Sequence, residues 1–407
     1  RLAQEGVYFE NAFVTTPICA ASRASILTGR YERTHGYTFG QGDIKEQYIS
    51  DSYPVELRNQ GYYTGFFGKF GVNYEGFATL FDQGESYDRN GKFKDRRGYF
   101  YKTIGEDTVH LTRYTGQKAI DFIQTAPKDQ PFMLSLSFSA PHAHDPAEDQ
   151  YFYEEEFGNL YSAEKIGPPL LGGQRYFQAL PESVRTGENF TRWKWRYDNP
   201  EKYQKSVKGY YRMISEVDAE IGKIRKTLQE QGLAHNTILI LMGDNGYFLG
   251  ERRLAGKWLM YDNSLRVPLI IYDPTGQGHR DVKDMVLNID IASTIYEYAG
   301  IPIPQDWQGI SLAGYTIGEN PASQRKEFIC EHLWKVNIIA ASEGIRTNKW
   351  KYFRYQDQPD WEELYDLEKD PMEKHNLVDR KKYQPVLDEL RERFHHLSSQ
   401  LEERKNR

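Results

Sequence analysis

The chain has 407 residues, 39% of them hydrophobic and 27% charged, with a net charge of −6 and a pI of about 6.0. That length suits roughly two to four domains at ~100–200 residues each, and the composition rules out a disordered or collagen-like chain. The acidic balance argues against nucleic-acid binding through global charge, and two cysteines, Cys19 and Cys330, cannot form a disulfide framework. The longest apolar runs, Ile238–Met242 and Val267–Tyr272, fall far short of the ~20 residues that a membrane span needs.

In chain order, Arg1-Leu2-Ala3-Gln4-Glu5-Gly6 reads as the last turns of a helix stopped by glycine. Neither an opening strand nor a basic-then-apolar leader is legible there. Strand-like and helix-like segments then alternate, as in a layered α/β domain. Pro131–Ser139 reads as a strand that ends at Pro141-His142-Ala143-His144. Residues 145–200, rich in Pro, Gly, Tyr and acidic side chains, read as a long excursion over the sheet. Ile214, Val217, Ile221, Ile224 and Leu228 step by three and four, which predicts a helix over about 202–231 with one buried stripe. Thr237–Met242 is apolar on both faces and is expected inside a helix-covered sheet. It ends in Gly243-Asp244-Asn245-Gly246, and strand carboxyl ends are where open α/β sheets hold ligands. Val267–Tyr272 makes a third strand. Residues 302–326, rich in Pro, Gly and Ser, look like a linker. Beyond it, Lys349–Tyr355 and Trp361–Leu367 suggest a small antiparallel sheet, and Leu387, Leu390, Phe394, Leu397 and Leu401 mark a final helix. The expected organisation is an α/β domain over 1–315 and a smaller α+β domain over 325–407, without internal repeats.

One segment carries the chemistry: Cys19-Ala20-Ala21-Ser22-Arg23-Ala24-Ser25-Ile26-Leu27-Thr28-Gly29-Arg30. It resembles the signature of the type I sulfatases, Cys-x-Pro-x-Arg followed by Leu-Thr-Gly-Arg. That resemblance implies an alkaline-phosphatase-like layered domain with a mixed, largely parallel central sheet, plus a C-terminal α+β domain. It also implies that Cys19 is oxidised to formylglycine. The hydrate of that residue offers one oxygen to attack sulfur, and the other expels sulfate by collapsing to the aldehyde, so covalent catalysis splits one hard step in two. Arg23, one helical turn on, would stabilise anionic oxygens beside the nucleophile. Ala21 stands where the signature has proline, a form associated with an anaerobic type of formylglycine-generating maturase.

The resemblance runs along nearly the whole chain. Gly61–Lys69 looks like the segment that supplies a sulfate-binding lysine, Lys69. The family often continues Lys-Trp-His, whereas here Phe70 and Gly71 follow. His142 resembles the histidine that donates to the ester or sulfate oxygen, a role suited to an unperturbed pKa near 6.5; His144 is a weaker candidate. Asp244 and Asn245 resemble the calcium-ligand pair, oxygen donors that a hard cation prefers. Two further aspartates of the family pattern would fall before Arg1. Lys257, in Gly250–Trp258, aligns with the second sulfate-binding lysine. Arg252, Arg253 and Arg266 add local positive charge of the kind that recruits anions. Arg252, Arg253, His332 and Arg346 are candidate substrate-binding residues, with Glu331 beside them, whereas Asp366 and Asp370 read as structural. The implied substrate is a sulfated glycan, and the implied location is periplasmic or secreted. Two rivals stay open: a formylglycine phosphodiesterase of the same superfamily, and a non-catalytic glycan-binding relative.

Overall fold

The computed structural model describes residues 1–145, 147–320 and 324–405. After a helical turn at Leu2–Glu5, the first strand is β1, Val7–Phe13. It was not expected from the sequence, although its inward residues Val7, Phe9, Ala12 and Phe13 are fully buried. Helix α1, Cys19–Thr28, follows. Its end is fixed by Gly29 at φ 65°, where a Cβ would meet the Trp307 ring at 2.7 Å.

Strands β2, Tyr63–Gly68, and β3, Gln83–Ser86, lead to helix α2, Leu111–Thr125, and strand β4, Phe132–Ser137. Asn199 caps the long helix α3, Pro200–Glu230, accepting from Lys202 N at 2.9 Å with Pro200 at the first helical position. Then come β5, Leu239–Met242, β6, Leu269–Tyr272, β7, Arg280–Leu287, and α4, Asp290–Tyr298. The C-terminal part holds β8, Glu327–His332, β9, Ser342–Thr347, β10, Trp350–Tyr355, β11, Gln358–Asp366, and α5, Gln384–Lys405.

The strands of the large domain form two main sheets, beside two short two-stranded ones. One has the order β7-β1-β6-β5 and is mixed, with β1 parallel to β7 and antiparallel to β6. The other is the parallel sheet β3-β2-β4. Tyr63, Phe132, Leu134, Leu136 and Leu239 pack on Phe122, Ile123, Ile224 and Leu228, so β4 and β5 lie against the same α2–α3 layer. Four antiparallel strands, β8-β9-β10-β11, make the third sheet.

Three expectations change. Thr237–Met242 is not interior: β5 is an edge strand in its sheet, as is β4 in its own, and every residue of both is half-buried. The stripe on α3 is also rotated. Ile214 is exposed, while Met213, Glu216, Glu220, Ile224 and Leu228 face inward, and Glu216 lies 2.8 Å from the buried His110. Finally, residues 302–320 do not form a free linker. Trp307, Leu312 and Tyr315 are buried in the cores they join. One core runs from β1 and β7 through β8–β10 to α5, with Phe13 stacked on Phe328 at 5.5 Å. Residues 321–323 of that segment lie outside the described residues.

Candidate active site

Four strand ends deliver the site. Lys69 follows β2, Asp88 follows β3, His142 follows β4 and Asp244-Asn245 follows β5. Helix α1 brings Cys19 and Arg23 to them, and Lys257 arrives after the two-residue strand Ala255–Gly256. The β2–β4 junction is tight. Gly68 has φ 116°, and a Cβ there would meet the Ser137 carbonyl oxygen at 2.1 Å.

Arg23 organises the floor. Its Nε donates to Asp244 Oδ2 at 2.8 Å, and its Nη1 donates to the Lys69 carbonyl and to Ser137 Oγ. Gly71, at the place where the family often has histidine, has φ 70°, and a Cβ there would press on Arg23 Cδ at 2.9 Å. The Arg23 side chain therefore lies where a larger residue at 71 would have to go.

Two ammonium groups flank Cys19. Lys257 Nζ donates to Asn245 Oδ1 at 3.0 Å, and Lys69 Nζ pairs with Asp88 Oδ2 at 2.9 Å. Burial alone would push the Cys19 thiol up, but Lys257, Lys69 and Arg23 outweigh burial and Asp244 and hold it below its ordinary range. Burial pulls Lys257 below the usual ammonium value, with Cys19 and Asp244 opposing. Asp244 is held low: Arg23, Lys257 and Lys69 overcome its burial. Three cations against two carboxylates leave the cluster positive, as an anion site requires.

Burial holds His142 well below the ordinary histidine value, and Arg89, Lys257 and Lys69 repel its proton further, which favours the neutral ring. Its Nδ1 lies 2.8 Å from the Ala143 carbonyl oxygen, so Nδ1 carries the hydrogen and Nε2 the lone pair. His144 turns elsewhere: its Nε2 is bonded to the Phe93 carbonyl and its ring packs on Tyr99.

The proposed substrate-binding residues are not brought to this cluster. Arg252 is buried, donates to the Met372 and Glu373 carbonyls and stacks on Tyr261 at 4.2 Å. Arg346 pairs with Asp262 at 3.0 Å and lies over Phe13. Arg253 donates to the Gly172 carbonyl at 3.4 Å and lies near Trp193, and Arg266 donates to the Glu10 carbonyl at 2.9 Å. His332 is fully buried with no hydrogen-bond partner for either ring nitrogen among the described residues, and Glu331 holds Arg33 at 2.9 Å.

The site also contains residues that the sequence reading did not single out. Asp88, Ser137 and Ser139 contact Lys69 or Arg23 or tie their neighbours together. Asn189 fixes the Lys257 backbone through its carbonyl at 2.9 Å. Trp258 carries the strained φ of 84° and lies under Arg192 at 4.8 Å. The available signal was position: Asp88, Ser137 and Ser139 all sit at or just past strand carboxyl ends.

Residues 1–301 match the sulfatase family, and residues 250–400 match the C-terminal domain of N-sulphoglucosamine sulphohydrolase. The chain belongs to the sulfatase family: it is a sulfuric ester hydrolase with an alkaline-phosphatase-like fold. It is 29% identical over 433 residues to an arylsulfatase of Clostridium perfringens, covering 96% of this chain and 86% of that protein. An N-acetylglucosamine-6-O-sulfatase of Bacteroides thetaiotaomicron is 26% identical, covering 96% of this chain and 79% of that protein. The fold also matches, at a TM-score of 0.81 and 23% identity, a structure in complex with its substrate D-glucosamine-2-N,6-O-disulfate, covering 99% of this chain and 92% of the other.

Sulfatases generally use formylglycine and calcium. Calcium takes 6–8 oxygen ligands. Here Asp244 and Asn245 each supply an oxygen that already accepts from Arg23 or Lys257, and no group of three or more His, Cys, Asp or Glu side chains converges among the described residues. These residues alone do not make a calcium site.

Proposed function

We propose that the chain hydrolyses sulfate esters on a sugar, with Cys19 as the precursor of a formylglycine nucleophile. The observation that carries this reading is the convergence of Lys257, Lys69 and Arg23 on Cys19 at the start of α1. When present, formylglycine would supply a hydrated carbonyl, one oxygen of which is the nucleophile that takes the sulfuryl group from the sugar oxygen. The chain's own residues do the rest. Arg23, Lys69 and Lys257 hold the anionic sulfate and the charge that grows on it, each such donor being worth about 2.7–4 kcal/mol of barrier. His142 holds a lone pair at Nε2. An anionic sulfate beside it favours the imidazolium, and Nε2–H can then donate to the departing sugar oxygen. No step is assigned to a metal.

Two relatives support a sulfated sugar as substrate: the Bacteroides relative is an N-acetylglucosamine-6-O-sulfatase, and the structural neighbour is in complex with a disulfated glucosamine. Intact Cys19, Arg23, Lys69 and Lys257 oppose a purely glycan-binding role. Ala21 fits maturation by an anaerobic-type maturase. A polymeric glycan substrate fits a periplasmic or secreted enzyme, and no helix of the described residues is long and apolar enough to cross a membrane.

The test is a screen of sulfated mono- and oligosaccharides with matured protein, with phosphodiesters included. Sulfate release from a sugar is expected. No release from any of them, with Cys19 shown by mass spectrometry to be converted, overturns the reading. Faster cleavage of a phosphodiester favours the phosphodiesterase alternative.

A further inference from the structure

We infer that Asp88 is a positioning residue for Lys69, locking its ammonium at the nucleophile and tying it to the strand end that precedes His142. The inference rests on the reading of Cys19 and Lys69 given above.

Asp88 spends both carboxylate oxygens on the site. Oδ2 pairs with Lys69 Nζ at 2.9 Å. Oδ1 accepts from Ser139 Oγ at 2.7 Å and from the Arg89 backbone N–H at 2.8 Å. Ser139 lies three residues before His142, and Tyr99 donates its hydroxyl to the His142 carbonyl. The segment after β3 thus grips the segments after β2 and β4 together. Lys69 and Lys257 differ in this respect. Lys257 is nearly enclosed, and a neutral amide suffices to aim it. The Lys69 side chain is 15% exposed at the end of a four-carbon stem, and lysine loses much rotamer freedom when it is held. An ammonium has three N–H donors. One bond to Asp88 fixes the rotamer and leaves two for an anion. The carboxylate is ionised: Lys69 and Arg89 overcome its burial and hold it far below the usual carboxylate range.

A residue that acts by orienting Lys69 should affect turnover more than binding, because small misplacements of a catalytic group cost rate. Asp88→Asn keeps the shape and removes the charge. With Cys19 conversion verified in every variant, kcat for a sulfated sugar should fall about 10- to 100-fold, with KM changed less than about twofold and the melting temperature nearly unchanged. In a Lys69→Ala background the same substitution should add less than about a twofold loss, because the group it positions is gone. If Asp88→Asn does not fold, Asp88→Ser is put through the same cycle. Full activity of the variant, a rise in KM without a fall in kcat, or an undiminished loss in the Lys69→Ala background overturns the inference. A wild-type protein with converted Cys19 that releases no sulfate overturns the underlying reading instead, so the two failures are distinguishable.

Discussion

Lys257 and Lys351 are both buried lysines, 5% and 0% exposed, and they are held in opposite ways. Lys351, on β10, meets two carboxylates, Asp262 and Glu373 at 2.5 Å, and Arg346 shares Asp262 with it at 3.0 Å. Against the upward push of burial, Lys351 and Arg346 hold Asp262 well below the usual carboxylate range. Among the described residues Lys257 Nζ bonds only the Asn245 amide oxygen. The first arrangement is closed: charges cancel where the small domain docks on the large one. The second keeps a positive charge uncancelled beside Cys19. A cluster of basic residues therefore marks a site only where its neighbours leave the charge unspent, and Arg252 and Arg346 belong to the closed kind.

The comparison breaks most sharply at Cys19, the proposed nucleophile precursor. Cys19→Ala should abolish sulfate release from any sulfated sugar and leave the melting temperature within a few degrees, since a small buried side chain is exchanged for a smaller one. Measurable turnover in that variant would remove Cys19 from the mechanism. Next come the open lysines. Lys257→Ala or Lys69→Ala should each lower kcat/KM about 10²- to 10³-fold, with little loss of stability, read from initial rates and thermal melts together.

The closed side should give the mirror image. Lys351→Ala leaves Asp262 and Glu373 buried with less compensation and should cost roughly 3–5 kcal/mol of stability, while kcat/KM per folded molecule stays near wild type. Urea unfolding measures the first and active-site-normalised rates the second. Arg346→Ala should behave likewise and more mildly, and a selective rise in KM there would return Arg346 to substrate binding.

At neutral pH the smallest effect concerns His332, which acts only in acid. Burial pushes its pKa down to about 3 from 6.5. The folded value lies below the unfolded one, so unfolded chains take up the proton first. Stability is full above pH 6.5 and falls by roughly 1.4 kcal/mol per pH unit on the way down to about 3. His332→Leu removes two buried nitrogens that have no partner among the described residues, and it should flatten this part of the acid profile without raising KM, as unfolding midpoints at stepped pH will report.

Local pattern and spacing made much of this protein legible in the sequence. The turn that puts Arg23 on the face of Cys19, the long helix ending at Gln231-Gly232, the strands that end at His142 and Asp244, and the antiparallel C-terminal strands all depend on residues close along the chain, where periodicity and glycine stops act. Long-range pairing decided the rest. Nothing near Asp88 in the sequence says that it will meet Lys69, nothing near Arg252 says that Glu373 and Tyr261 will enclose it, and nothing within Leu239–Met242 says that it will stand at a sheet edge. Those outcomes depend on which segments the packed sheets bring together. A charged side chain becomes a ligand, a latch or a structural ion pair according to the partner it meets there, and the sequence fixes only its charge and reach.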